Sequence, residues 1–114
     1  MDQLAALLTS MVVEGITVAV LFAKSGRRKL VSGVGVAAFS TVVTHPFAWW
    51  GIGAAEAVLG YWWAVAIVEA LVCLAEAIAY RLVVPLRWPA ALAVSVIANA
   101  MSALLGLLYY AVAL

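Results

Sequence analysis

Long apolar stretches separated by short polar breaks dominate the pattern of this 114-residue chain. No Asp, Glu, Lys or Arg occurs between Leu30 and Ala55, and none occurs from Trp88 to Leu114. A helix needs about 20 apolar residues to cross the ~30 Å hydrocarbon layer of a membrane, and both stretches exceed that length. The pattern therefore predicts membrane-spanning segments rather than the core of a water-soluble domain.

The breaks divide the chain into four predicted spans, which we place at about residues 3–23, 31–51, 57–82 and 88–111. Charge, glycine and proline mark the breaks, which are KSGRRK at 24–29, GIGAAE at 51–56 and RLVVPLRWP at 81–89. In the last break, Pro89 suits the first turn of a following helix.

Helices are expected in all four spans. Only helices and closed barrels satisfy their backbone polar groups inside lipid. Barrel strands would show alternating segments of about ten residues, whereas these runs are continuous and rich in Ala and Leu. We therefore predict one all-α domain, an integral membrane four-helix bundle.

The high hydrophobic and low charged content supports the prediction of a membrane protein. The chain is 69% hydrophobic and 10% charged, whereas soluble domains carry about 25% charged residues.

No basic residue precedes the first apolar run, so we expect a retained span rather than a cleaved signal peptide. The single Cys73 excludes an intrachain disulfide. Without a nucleophile elbow, a phosphate-binding glycine loop or a metal-spaced His/Cys set, we expect no enzyme activity, no cofactor and no nucleic-acid partner.

The basic residues predict an orientation. Four of the six lie in the connection 24–29, and the other two are Arg81 and Arg87. Cytoplasmic loops of membrane proteins collect Lys and Arg. The connections 24–29 and 81–87 should therefore face the cytoplasm, with both termini outside.

An internal duplication is a further hypothesis. A shift of 55 residues aligns Glu14 with Glu69 and Thr44 with Asn99 without gaps. Each half would be a helical hairpin with a carboxylate midway along its first helix, and the two hairpins would be parallel repeats. In a chain so rich in Ala, Val and Leu, the few identities do not distinguish duplication from chance.

Three acidic residues lie inside the predicted spans: Glu14, Glu69 and Glu76. A charge at the bilayer centre costs about 2.5–3.5 kcal/mol by insertion scales, so Glu14 and Glu69 should face the bundle interior. They would be either protonated carboxyls bonded to a neighbouring helix or groups that bind a proton, a cation or a ligand. Glu76 is expected in an ion pair at the membrane interface, with Arg81 or a basic residue of the first connection.

Two other polar residues fall within the spans. His45 precedes Pro46, which frees a backbone carbonyl, and we expect a polar contact inside the bundle. The alternatives are a titrating group and a ligand to a metal or pigment, although one His without a second His or a Cys is a weak metal signature. Asn99 should hydrogen-bond across the bundle, an interaction worth roughly 0.6–2 kcal/mol.

The size, the four spans and Glu14 midway along the first helix resemble the small multidrug resistance transporters. The resemblance implies that Glu14 exchanges protons for cationic substrates in a dimer, with Tyr61 and Trp63 near the substrate. The chain departs from the family pattern because no glycine lies between Ala64 and Tyr80 and because this span carries two acidic residues. The one-sided distribution of basic residues also predicts a single orientation, unlike the antiparallel dimer of that family.

The sequence leaves several functions open. A 12.0 kDa bundle has little interior, so its outer faces should contact other membrane subunits or further copies of itself. Our leading hypothesis is a non-catalytic accessory subunit of a larger membrane complex, or a small oligomeric bundle. The alternative is a proton-coupled transporter of a small solute or cation, acting as an oligomer, with Glu14 and Glu69 as coupling sites. A third hypothesis is pigment or haem binding through His45.

Overall fold

Four helices account for almost all of residues 2–113, the part of the chain that the computed structural model describes. They are α1 (Gln3–Leu21), α2 (Arg27–Leu59), α3 (Tyr61–Val83) and α4 (Trp88–Ala113). Each helix is long and apolar enough to cross a membrane. The prediction of an all-α chain with four helices is confirmed.

The turn between α2 and α3 does not lie where the sequence pattern placed it. Helix α2 continues through the predicted break at 51–56 and ends at Leu59, and the chain reverses at Gly60 with φ +79°. A glycine inside a helix costs only about 1 kcal/mol relative to alanine, so Gly51 and Gly53 do not end the helix. A one-residue reversal requires a positive φ, which glycine adopts without steric penalty.

The remaining ends follow the expected chemistry. Oδ1 of Asp2 accepts a hydrogen bond from the backbone N of Ala5 at 2.7 Å and so caps α1. Gly26, with φ +93°, precedes α2. Pro89 lies in the first turn of α4, as predicted, where its missing N–H costs no helical hydrogen bond.

The helices form a closed ring in chain order. Helix α1 packs against α2 and α4, and α3 packs against the same two helices, whereas the diagonal pairs do not pack together. Short connections make successive helices antiparallel. The diagonal partners, α1 with α3 and α2 with α4, therefore lie on opposite sides of the bundle interior.

The apolar core lies at one end of this ring. We call the end with the α1–α2 and α3–α4 connections the basic end. The opposite end, where α1 begins, α4 ends and the chain turns at Gly60, we call the terminal end. The buried core cluster consists of Val18, Phe22, Val36, Ala37, Ala77, Tyr80, Val84, Leu86, Ala91, Val94 and Ala98. Among the described residues, the only other buried apolar side chains are Ala48 and Ala64. The four helices are thus tightly packed at the basic end and loosely packed at the terminal end.

A close approach of α1 and α2 tightens the basic end. A Cβ atom added to Gly33 would lie 2.7 Å from Cδ2 of Phe22 and 3.1 Å from Cγ1 of Val18. Such contacts are shorter than van der Waals separation, so a side chain at this position would force Phe22 to move. Small residues allow this kind of close packing between apolar helices.

Candidate functional site

All four helices contribute a polar side chain to one buried cluster. Its members are Glu14 of α1, Thr41 and Thr44 of α2, Glu76 of α3, and Ser95 and Asn99 of α4. The exposed fraction is 4% for Glu14 and 1% for Glu76. We call this set the carboxyl cluster. It lies directly above the apolar core, on the side of the terminal end.

Thr41 joins Glu14 to the backbone of α2. Its Oγ1 lies 2.5 Å from Oε2 of Glu14 and 2.6 Å from the carbonyl oxygen of Ala37. A hydroxyl has a single proton to donate. A protonated Glu14 that donates to Thr41, while Thr41 donates to Ala37, is an arrangement that gives each contact a proton of its own.

Thr44 repeats this arrangement one turn later. Its Oγ1 lies 3.0 Å from Oε1 of Glu76 and 2.8 Å from the carbonyl oxygen of Ser40. By the same proton count, a protonated Glu76 can donate to Thr44 while Thr44 donates to the helix backbone. Each carboxyl group can thus be protonated and neutral with its contacts satisfied. Both groups are hydrogen-bonded to threonines of the same helix, α2.

Asn99 holds the other oxygen of Glu76. Its Nδ2 donates to Oε2 of Glu76 at 2.6 Å and to the carbonyl oxygen of Ser95 at 2.8 Å. Both amide protons are used, since a side-chain amide has two. Ser95 in turn donates to the carbonyl oxygen of Cys73 at 2.6 Å. The predicted hydrogen bond of Asn99 across the bundle is confirmed.

A cavity of about 150 Å³ adjoins the cluster. Both buried carboxyls, Thr41, Thr44 and Asn99 line its inner part, and its lining continues towards the terminal end through Ser10, His45, Ala48, Glu69, Val72, Ser102 and Ala103. None of the described residues that line it is a lysine or an arginine. The carboxyl cluster therefore faces a small polar space without a positive side chain.

Glu69 has a different environment from the other two acids. It lines the cavity nearer the terminal end and is only partly buried. The sequence paired Glu14 with Glu69 as the central acids, whereas Glu14 and Glu76 are the deeply buried pair. One heptad along α3 moves a side chain by about 10 Å, which is enough to carry Glu69 out of the packed layer.

The predicted ion pair of Glu76 with Arg81 or a basic residue of the first connection is wrong, because Glu76 is buried and its oxygens contact Thr44 and Asn99. Arg81 donates to the carbonyl oxygen of Leu86 at 2.8 Å, and its guanidinium carbon lies 5.5 Å from the ring centroid of Trp88. Five residues turn a helix by about 140° beyond one full turn, so the two side chains leave α3 on different sides. Glu76 points into the bundle, and Arg81 covers the α3–α4 connection.

His45 lies beside the cavity without completing the cluster. Its Nε2 is buried and has no hydrogen-bond partner among residues 2–113. The ring centroid of Trp49 is 6.0 Å away. Over the same residues, no three His, Cys, Asp or Glu side chains are placed to hold a metal ion.

Sequence reasoning missed two members of this region, Thr41 and Tyr80. Thr41 is three residues before Thr44 and so lies on the same helix face, which was the available signal. Tyr80 follows Glu76 by one turn and is fully buried, and its hydroxyl has no partner among the described residues. The phenol therefore places an unsatisfied donor directly below the carboxyl cluster.

The hydrogen bonds do not follow the 55-residue shift. That shift pairs Thr44 with Asn99 and Glu14 with Glu69, but Thr44 and Asn99 both contact Glu76. The duplication stays a hypothesis from the sequence.

Comparisons with known proteins do not assign the chain to a family. No protein-family model matches it, and it has no significant match among curated proteins or solved structures. The likeness to the small multidrug resistance transporters therefore remains one of layout, and the carboxyl cluster has to be interpreted from its own chemistry.

Proposed function

We propose that this protein lies in a membrane and carries a small cation in exchange for protons, with Glu14 and Glu76 as the shared binding groups. The observation that carries the proposal is the pair of buried carboxyls that face a polar cavity without a lysine or arginine. Permanent burial of charge in a membrane is costly, and intramembrane acids commonly mark ion or proton pathways.

The threonine contacts support a neutral resting arrangement of the acids. Thr41 and Thr44 each have one proton and two oxygen neighbours, so protonated Glu14 and Glu76 complete both sets of hydrogen bonds. Loss of a carboxyl proton removes that donor and creates a negative charge. A cation that enters the cavity would compensate the charge, so cation binding and proton release are coupled.

The cavity limits the size of the cation. In another protein, an engineered cavity of about 150 Å³ holds a molecule as large as benzene. The cavity beside Glu14 and Glu76 has about this volume, so we infer a cation of roughly six non-hydrogen atoms or fewer. A primary ammonium or a guanidinium fits, because each donates several hydrogen bonds to carboxylate oxygens.

The packing of the bundle supports access from one end. The cavity lining continues towards the terminal end through Glu69 and Ser102, whereas the core containing Tyr80 and Ala91 lies between the cluster and the basic end. Release at the basic end would require those core contacts to separate. A carrier needs such an alternation, in which one end of a fixed site opens as the other closes.

Proton-driven uptake of methylammonium or guanidinium into liposomes tests the proposal. The wild-type protein should accumulate one of these probes when the pH gradient is imposed and lose this activity when it is collapsed. Glu14→Gln and Glu76→Gln should each reduce uptake at least about tenfold, since an amide cannot release a proton to compensate the bound charge. Glu56→Gln is the matched control, because Glu56 is exposed on α2 near the terminal end. Equal uptake by all variants, or no gradient-driven uptake by the wild type, would contradict the proposal.

A second candidate is a non-catalytic accessory subunit or a small oligomer. The terminal end favours it, because the tryptophans there leave large apolar surfaces outside the bundle: Trp50 is 73% exposed and Trp62 and Trp63 are each 71% exposed. Purification in a mild detergent followed by mass spectrometry tests this candidate. A stoichiometric partner chain or a defined oligomer supports it, and a monomer with full transport activity contradicts it.

A further inference from the structure

Two neighbouring cavities lie between α2 and α3 at the basic end, away from the carboxyl cluster. The first, of about 400 Å³, is lined by Arg28, Lys29, Ser32, Val83, Val84 and Pro85. The second, of about 510 Å³, is lined by Ser32, Gly35, Val36, Phe39, Ser40, Ala79, Leu82 and Val83. Ser32 and Val83 line both cavities, so the two form one continuous depression.

The chemistry of the depression changes along its length. Arg28 and Lys29 are exposed at its outer end, beside the hydroxyl-bearing Ser32. Beyond Ser32 the lining is almost entirely apolar, with Phe39 and Leu82 forming exposed walls. From Ser32 to Ser40 the apolar part extends about 12 Å along α2 towards the middle of the bundle. A positive head region thus leads into an apolar groove that runs along the helices.

We propose that this depression binds one anionic phospholipid, with its phosphate at Arg28 and Lys29 and an acyl chain in the groove beside Gly35. The charge of the head region requires an anionic group, and Arg and Lys both bind phosphate oxygens. A free anion would use only the head region. A phospholipid uses both parts at once, because its apolar chain is attached to its phosphate and lies along the membrane normal.

Gly35 sets the depth of the groove. A Cβ atom added there would meet no other atom within 4 Å, so open space lies directly above the α2 backbone. A larger side chain at this position would fill the groove without disturbing the core. Gly15 of α1 has equally open surroundings and lines neither cavity, which makes it a matched control.

Two other basic residues provide a matched control for the charge of the head region. Lys24 and Arg27 belong to the same connection as Arg28 and Lys29 but line neither cavity. The double variants R28Q/K29Q and K24Q/R27Q remove the same charge from the same connection. Any effect of overall surface charge or of topology should therefore be equal in the two variants.

Native mass spectrometry of the purified full chain, after exchange into defined lipid, tests the proposal. We expect wild type to retain one phosphatidylglycerol molecule in preference to phosphatidylcholine, and R28Q/K29Q to lower this preference by about thirtyfold, since each of the two surface cations contributes about 1 kcal/mol to anionic lipid binding. K24Q/R27Q and Gly15→Leu should retain both the preference and the amount of bound phosphatidylglycerol. Gly35→Leu should lower that amount, since the groove holds an acyl chain that both lipids carry.

Three outcomes would overturn the proposal. An equal loss in both double variants would mean that only general surface charge attracts the lipid. Full competition by free glycerol phosphate would mean a simple anion site without an acyl chain. An unchanged amount of bound phosphatidylglycerol in Gly35→Leu would mean that the groove is not used.

Discussion

The two ends of the bundle are built from the same four helices but pack in different ways. At the basic end, residues such as Gly33, Ala77 and Ala91 bring the helices close enough to bury Val18 and Tyr80 completely. At the terminal end, large side chains such as Trp62 point outward, and a polar cavity takes the place of a core. Hydrophobicity alone therefore does not produce close packing in this chain. Small residues at helix contacts do, because they let neighbouring helices approach closely and gain van der Waals contacts.

The strongest contrast in stability is predicted for a matched pair of tyrosines, one at each end. Tyr80→Ala should destabilise the folded protein by about 3 kcal/mol or more, because it leaves a cavity in the packed core. Tyr109→Ala should change stability by less than about 0.5 kcal/mol, because Tyr109 is on the exposed surface of the terminal end. Thermal unfolding in detergent measures both, and similar losses would remove the contrast between the ends.

Tyr80→Phe refines this result, since it keeps the ring and removes only the unpaired hydroxyl. It should leave stability unchanged or raise it, because a buried donor without a partner is itself costly.

A smaller effect is expected at the close approach of α1 and α2. Gly33→Ala should cost about 1–3 kcal/mol, because its Cβ would overlap the ring of Phe22, which is buried and has little room to move. Gly35→Ala, two residues along the same helix, meets no neighbouring atom and should be neutral or slightly stabilising. Chemical denaturation of the two variants under identical conditions compares them. If Gly33→Ala left the free energy of unfolding unchanged, close packing of α1 and α2 would not define the basic end.

The smallest effect is expected at the boundary between the ends, where Asn99 holds Glu76. Asn99→Ala should cost roughly 0.6–2 kcal/mol, because both amide hydrogen bonds are lost. The same loss should be smaller in a Glu76→Gln background, since the amide has one oxygen acceptor where the carboxyl has two. A double-mutant cycle measures this coupling energy, and a value of zero would separate Asn99 from the carboxyl cluster.

Much of the candidate site could be predicted from single residues. The cost of charge in lipid placed Glu14 inside the bundle, and the same reasoning gave Asn99 a partner on another helix. It failed for Glu76, whose partners are Thr44 and Asn99 rather than Arg81. Distance along the chain suggested Arg81, but the direction in which each side chain leaves α3 decided the contact. The function, the orientation of the termini and the duplication stay predictions.

Four long apolar helices follow from the sequence alone, because its continuous runs rich in Ala and Leu favour helices and short polar breaks separate them. The sequence pattern misplaced the α2–α3 break at 51–56, because helix α2 continues through Gly51 and Gly53 and the chain turns at Gly60, which has a positive φ. The packing of the helices, and not the sequence pattern, selected which acids share a site. That choice depends on the rotation of each helix about its axis and on how closely neighbours approach, and both are set by contacts such as Gly33 with Phe22 that are distant from the acids themselves.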